Sequence, residues 1–194
     1  MARTPTGAAV LQPEVTRAIT DAVLRELAEQ GYGRLSMEAV AKRAGVGKSA
    51  LYRRWRSKHE MITAVVAEFS VPRADLEDTG SLRGDVRAML QAVLDWLTDP
   101  LFSRILPDLV AEGARNPELA ESVRTSIGGP RRDRAEVMLR RAITRGELPA
   151  DLDVEMALDV LAAPIYWRLV VRQAPAGPDY LDRLVAYALR ALGA

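Results

Sequence analysis

The chain has 194 residues, 48% of them hydrophobic and 27% charged, which suits one large or two small globular domains. It contains no cysteine and one histidine, His59, so disulfides, thiolate metal sites and any catalytic or zinc scheme needing two histidines are excluded. The net charge of +1 hides an asymmetry: residues 1–60 hold eleven Lys and Arg against six Asp and Glu, and the remainder holds 16 against 20, so the basic end points to a polyanionic partner.

Residues 1–12 are small, polar and Pro- and Gly-containing, and are expected to form a disordered arm. Pro13 and Glu14 open a first helix whose apolar positions, Val15, Ile19, Ala22, Val23 and Leu27, recur at helical spacing until Gly31 and Gly33. Ser36 caps a short second helix ended by Gly45. A third short helix follows from Lys48 to Arg54. A capping box, Ser57-Lys58-His59-Glu60, opens a fourth, carrying Met61, Ile62, Val65, Val66 and Phe69 inward. The polar stretch Pro72–Gly80 breaks the pattern and places a boundary between a domain at 13–70 and one at 71–194. Beyond it come a helix over Leu82–Leu97 and one over 101–114, kinked at Pro107. A short helix capped by Asn116-Pro117 is expected to stop at Gly128-Gly129, and another covers Ala135–Ile143. A long helix then runs from Asp153 to about Gln173, and the last covers Leu181–Leu192. No strand-like alternation occurs. The expected class is all-α: an N-terminal three-helix module with a helix-turn-helix, plus a C-terminal antiparallel helical body.

The informative stretch is Ser36–Lys58. Two short helices around a tight turn at Gly45 spell a helix-turn-helix. Val46 and Leu51 plug the angle between them, and Lys48, Ser49, Tyr52, Arg53 and Arg54 point outward. Between Glu38 and Glu60 lie seven basic residues and no acidic one. Cations there neutralise phosphates, and polar side chains read base edges in a major groove.

The runs Leu35-Ser36-Met37-Glu38-Ala39-Val40-Ala41, Gly45-Val46-Gly47-Lys48-Ser49-Ala50-Leu51-Tyr52 and, after Trp55, Ser57-Lys58-His59-Glu60-Met61-Ile62 resemble the TetR family of bacterial transcriptional regulators, with the likeness covering residues 13–68. The resemblance implies a homodimer on near-palindromic operator DNA, acting as a repressor released by a small molecule. It also implies that Ser36, Tyr52 and Lys58 contact phosphate, and that Gly47, Lys48 and Ser49 contact bases and backbone. Arg53 and Arg54 would grip guanines, since arginine can bond guanine O6 and N7 together.

Other features are weighed on their residues. Gly47-Lys48-Ser49 imitates the end of a phosphate-binding loop, but Lys42 stands where that loop needs glycine, and a helix precedes it rather than a strand. His59 is expected to be a solvated or capping residue. Arg131, Arg132, Arg134, Arg140 and Arg141 read as a solvated, ion-paired helix face with Asp133, Glu136 and Glu147 near by. The 154–172 helix carries two apolar stripes. One comprises Val154, Ala157, Leu158, Leu161, Ala162, Ile165 and Leu169, and the other Met156, Val160, Ala163, Trp167 and Val170. A helix apolar on two faces needs two covers, one of them a twin subunit. Met138, Ala142, Leu158, Ala162 and Ile165 are the expected dimer contacts. Met89, Trp96, Phe102, Met138, Tyr166 and Trp167 are the expected lining of a pocket for a small, largely apolar effector, aromatic or cationic in kind. No catalytic constellation, cofactor or metal site is expected. No apolar run approaches membrane-spanning length and no secretory leader is visible, so a cytoplasmic location is expected. The alternative reading is a helical small-molecule- or protein-binding dimer that does not bind DNA.

Overall fold

The computed structural model describes residues 13–194, and the arm expected at 1–12 lies outside the described residues. Ten α-helices are seen there: α1 Pro13–Arg34, α2 Met37–Ala44, α3 Lys48–Tyr52, α4 Lys58–Ser70, α5 Leu82–Thr98, α6 Phe102–Gly113, α7 Pro117–Val123, α8 Gly129–Thr144, α9 Val154–Tyr166 and α10 Tyr180–Ala191. No strand occurs among the described residues, and no helix among them is long and apolar enough to cross a membrane.

Short polar side chains at the helix starts satisfy the free backbone N–H groups there. The Ser36, Ser57, Ser81, Asn116 and Asp153 side chains accept from Ala39, Glu60, Gly84, Leu119 and Met156 N–H, respectively. The capping box at Ser57 forms by half: Glu60 reaches one residue further back and accepts from Arg56 N–H at 2.8 Å.

Three boundaries differ from the sequence reading. The glycine pair at 128–129 does not end a helix. Gly128 and Gly129 both adopt right-handed helical angles, and a π-helical turn over Arg124–Gly128 carries α7 straight into α8. Pro107 sits inside a continuous α6. The helix expected to reach Gln173 converts to a π-turn at Trp167–Val171, and Gln173 itself has φ 50.

Two hydrophobic clusters hold the molecule together, and they do not divide at the expected boundary. The first unites α1–α4 with Phe102, Ile105 and Leu109 of α6, Leu119 of α7 and Ile127. The second unites α5, α8, α9 and α10, and Trp96 and Leu106 pack against both. The N-terminal helices therefore share a core with part of the body, so a shift of α6 or α7 is felt by them as strain in a close-packed interior.

Candidate nucleic-acid interface

The angle between α2 and α3 is set by three residues. Gly45 adopts φ 67, ψ 28, a left-handed conformation in which its N–H closes α2 onto Ala41 and Lys42 carbonyls. The next N–H, of Val46, also returns to Ala41 O at 3.0 Å. Leu51 is fully buried beneath α3, so the opposite side of this five-residue helix must face outward.

Of the eight candidate contacts, Ser36, Gly47, Lys48, Ser49, Tyr52 and Arg53 are exposed together along α2 and α3, with Tyr52 54% exposed although it is a large aromatic. The Ser36 oxygen already accepts from Ala39 N–H at 3.1 Å, leaving its hydroxyl proton for an acceptor outside. Arg54 and Lys58 are turned toward the protein in the DNA-free chain. The Arg54 guanidinium turns inward to donate to Thr16 Oγ1 at 3.0 Å, with Nε buried, and so does not present a guanine-gripping fork. Lys58 donates to the Tyr32 and Gly33 carbonyls at 2.8 and 3.3 Å and lies 4.6 Å from the Tyr32 ring centre. Its ammonium is drawn to the carbonyl-rich end of α1 and would have to leave it to meet a phosphate.

The seven basic residues between Glu38 and Glu60 thus have different roles. Arg43 is held by Glu26 and Glu29, tying α2 to α1. Lys48 pairs with Glu38 at 2.8 Å. Lys42, Arg53 and Arg56 have no side-chain partner among the described residues. Lys42 and Arg56 are exposed cations on and just beyond the two helices that the motif does not mark. Local charge counting contained them but gave no direction.

The Lys48–Glu38 pair is solvent-exposed, and the hydrogen bond from Lys48, then its charge, holds the Glu38 carboxyl below its ordinary range. Glu38 therefore stays anionic at neutral pH, and a DNA phosphate meeting Lys48 would have to displace it. Glu38→Gln is expected to tighten DNA binding about threefold to tenfold at low salt, with the gain fading as salt rises. Equal affinities in a binding titration at two salt concentrations would show that Lys48 does not meet phosphate.

Two polar bridges join this module to the body. Asp108 of α6 accepts from Tyr32 N–H at 2.7 Å. His59 lies between Tyr32 Oη, 3.3 Å from Nδ1, and Ser122 Oγ of α7, 2.7 Å from Nε2. The histidine expected to be solvated or capping is instead a part-buried link between α1, α4 and α7. Its sequence neighbours carry no signal for this, because Ser122 is 63 positions away.

In the body most of the expected dimer and pocket residues lie in the cores. Met138, Ala142, Leu158 and Ile165 are buried within their own subunit and have no surface to offer a second one. Only Ala162 of the five expected dimer contacts is exposed. The other stripe faces outward at Met156 and Trp167, each 59% exposed, and Val171, which belongs to neither stripe, is 51% exposed beyond it. The six expected pocket residues do not meet around one cavity. Phe102 is sealed in the first core, 5.3 Å from Phe69 and 4.8 Å from Trp96 between ring centres. Met89 and Met138 pack in the second core, Tyr166 lies at its edge, and Trp167 points away. An open groove along α8 is lined by none of them but by charged residues including Asp78, Asp133, Glu136, Arg140, Arg141 and Arg145. Among the described residues no group of three His, Asp or Glu side chains is placed to hold a metal ion.

Comparison with known proteins agrees with this arrangement at both ends. Residues 19–65 match the family model described as bacterial regulatory proteins, tetR family, and residues 76–188 match that of the tetracyclin repressor-like C-terminal domain. The chain is 31% identical over 169 residues to the DNA-binding transcriptional repressor TetR of Mycobacteroides abscessus, covering 87% of this chain and 88% of that one. It is 29% identical over 178 residues to the uncharacterized HTH-type transcriptional regulator YdeS of Bacillus subtilis, covering 92% and 89%. Among solved structures it superposes with a TM-score of 0.73 on the TetR family transcription regulator SCO0332, at 30% identity over 91% of this chain and 97% of that one.

Proposed function

The chain belongs to the TetR family of DNA-binding transcriptional regulators, and from that premise we propose that it is a homodimeric repressor that leaves a near-palindromic operator when a small molecule binds its helical body. It regulates rather than catalyses, and it works where the DNA is, in the cytoplasm. The observation that carries the DNA-binding reading is the exposed face of α3. Ser49, Tyr52 and Arg53 stand there with no side-chain partner among the described residues, on a helix whose angle is set by Gly45 and Leu51. Polar side chains left unpaired on a rigid element suit phosphate and base-edge contact.

Selection from a random DNA pool is expected to recover an inverted repeat with half-sites one helical turn apart, about 34 Å. Tyr52→Ala/Arg53→Ala is expected to bind the selected duplex about 30- to 100-fold more weakly in a gel shift, with its helical content and size unchanged. Failure of the wild type to enrich any sequence would favour a dimer whose helix-turn-helix contacts protein.

The second subunit is proposed to cover Met156, Ala163, Trp167 and Val171 on the outward side of α9 and its π-turn, with Tyr187 of the neighbouring α10, which is 67% exposed. A large exposed apolar patch on a soluble chain calls for such a cover. Trp167→Arg is expected to convert the protein to a monomer at micromolar concentration in sedimentation, and Trp167→Phe to leave it dimeric. An unchanged size for the arginine variant would remove α9 from the interface.

Ligand release then needs a state, favoured by the ligand, in which the two reading heads no longer fit successive grooves. The Asp108–Tyr32 and Ser122–His59 bridges and the shared core are the means by which the body can move the heads.

A further inference from the structure

Among the described residues, one arginine of α8 lacks the carboxylate that the other arginines of that helix meet. Arg132, Arg134, Arg140 and Arg141 of α8 each meet a carboxylate: Glu155 and Asp159, Asp75, Glu136, and Asp78. Arg131, in the first turn of the same helix, meets none among the described residues. Its Nη1 donates to the Ser70 backbone carbonyl at 2.5 Å, and its guanidinium lies 4.0 Å from the Trp96 ring centre. Burial, and then the charges of Arg134 and Arg73, pull its pKa down to about 10, so it remains a cation at neutral pH in a place where a charge is poorly solvated.

The two residues that Arg131 touches carry unsatisfied polar atoms of their own. Among the described residues the buried Trp96 indole N–H has no acceptor, and Ser70 is 0% exposed with its hydroxyl unpaired. Indole and guanidinium nitrogens can only donate, and a serine hydroxyl can donate. The missing chemistry is therefore an acceptor bearing negative charge. The surroundings are aromatic, because Trp96 packs on Phe102 and Phe102 on Phe69. A neutral acceptor such as a carbonyl or hydroxyl oxygen would leave the buried positive charge uncompensated, and a cation would be repelled by Arg131, Arg134 and Arg73.

We propose that Arg131, with Trp96 Nε1 and Ser70 Oγ, receives the carboxylate of an effector whose remaining body is apolar, at the junction of α4, α5 and α8. The proposal rests on the reading that this chain answers to a small molecule, and it adds an anionic group to the largely apolar effector expected from aromatic content. It also supplies a coupling. Ser70 is the last residue of α4, the helix that continues from the reading head, and Arg131 holds its carbonyl. A carboxylate offers the guanidinium two charged oxygens in place of one neutral carbonyl. Binding thus loosens the hold on the end of α4, and the state in which α4 has moved is the one that binds ligand better.

The test uses the full-length protein and two pairs of probes, decanoate with decanol and 1-naphthoate with 1-naphthalenemethanol. Binding is measured by calorimetry without DNA, so its outcome is separate from whether the protein binds an operator. At least one carboxylate is expected to bind once per chain, with its alcohol at least about tenfold weaker. Arg131→Gln is expected to bind that carboxylate about 10- to 100-fold more weakly, and Arg131→Lys to recover part of the loss. The thermal midpoint of Arg131→Gln is expected to equal or exceed that of the wild type, since an unpaired buried cation is removed. The proposal is overturned if neither carboxylate binds, if the alcohols bind as well, or if Arg131→Gln binds the acid unchanged. A lowered midpoint with unaltered binding would make Arg131 a structural tie between α8 and α4.

Discussion

Phe102→Ala is expected to lower the stability of the chain by about 3–5 kcal/mol. Phe102 has no exposed surface, and its ring stacks at an interplanar angle of 5° on Phe69 and tilts against Trp96. Truncation would remove that packing and leave a void where α4, α5 and α6 meet, in a cluster that also holds α1 and α2. The result separates two roles for this aromatic. A residue lining an open effector pocket can be shortened at little cost, because one side of its ring already faces space. A change below about 1 kcal/mol in urea unfolding would place Phe102 beside such a space and undo its assignment to the core.

Gly31→Ala is expected to cost about 2–4 kcal/mol and to weaken the tie between reading head and body. Gly31 has φ 74 and ψ 167, a region that side-chain-bearing residues scarcely adopt. A β-carbon there would also fall 2.7 Å from Asp108 Oδ1. Asp108 would have to withdraw from Tyr32 N–H, leaving a part-buried donor without its acceptor. Gly33 provides the internal control, since a β-carbon there meets nothing within 4 Å, so Gly33→Ala is expected to be neutral or slightly stabilising. Similar unfolding midpoints for the two variants would show that the Gly31 turn is not strained by a side chain.

These two residues also show where the sequence could be read and where it could not. Helix starts were legible because capping is local: Ser36, Ser57, Asn116 and Asp153 each bond an N–H three residues ahead. The helix-turn-helix was legible for the same reason, since a left-handed glycine and one buried leucine set its angle. The orientation of its cations was not. Lys58 and Arg54 are drawn to Tyr32 O and to Thr16, partners 26 and 38 positions away that no local pattern points to. Both stripes of α9 were visible in the periodicity, but periodicity alone cannot say which stripe faces α5 and α8. The dimer contacts were therefore placed on the stripe that proves to be internal. The glycine pair at 128–129 reads as a stop, yet glycine permits helical angles as well as breaking them, and the packing of this turn on α4 keeps the chain helical. The aromatic residues of the body suggested an apolar pocket. The polar signal is the one α8 arginine, Arg131, that meets no carboxylate among the described residues, which depends on partners far away in sequence such as Asp75 and Glu155.

The most direct test of the central claim, that the exposed faces of α2 and α3 grip operator DNA, is the salt dependence of binding to the selected duplex. The logarithm of the affinity of the wild type should fall steeply and linearly with the logarithm of salt concentration, as phosphate neutralisation releases counterions. Arg53→Ala and Lys48→Ala should each bind more weakly, and each should reduce the slope by about one if the lost contact is to phosphate. Specific binding with unchanged affinity and slope in both variants would move the interface off α3. Binding that is weak, indifferent to sequence and equal in all three proteins would contradict the claim.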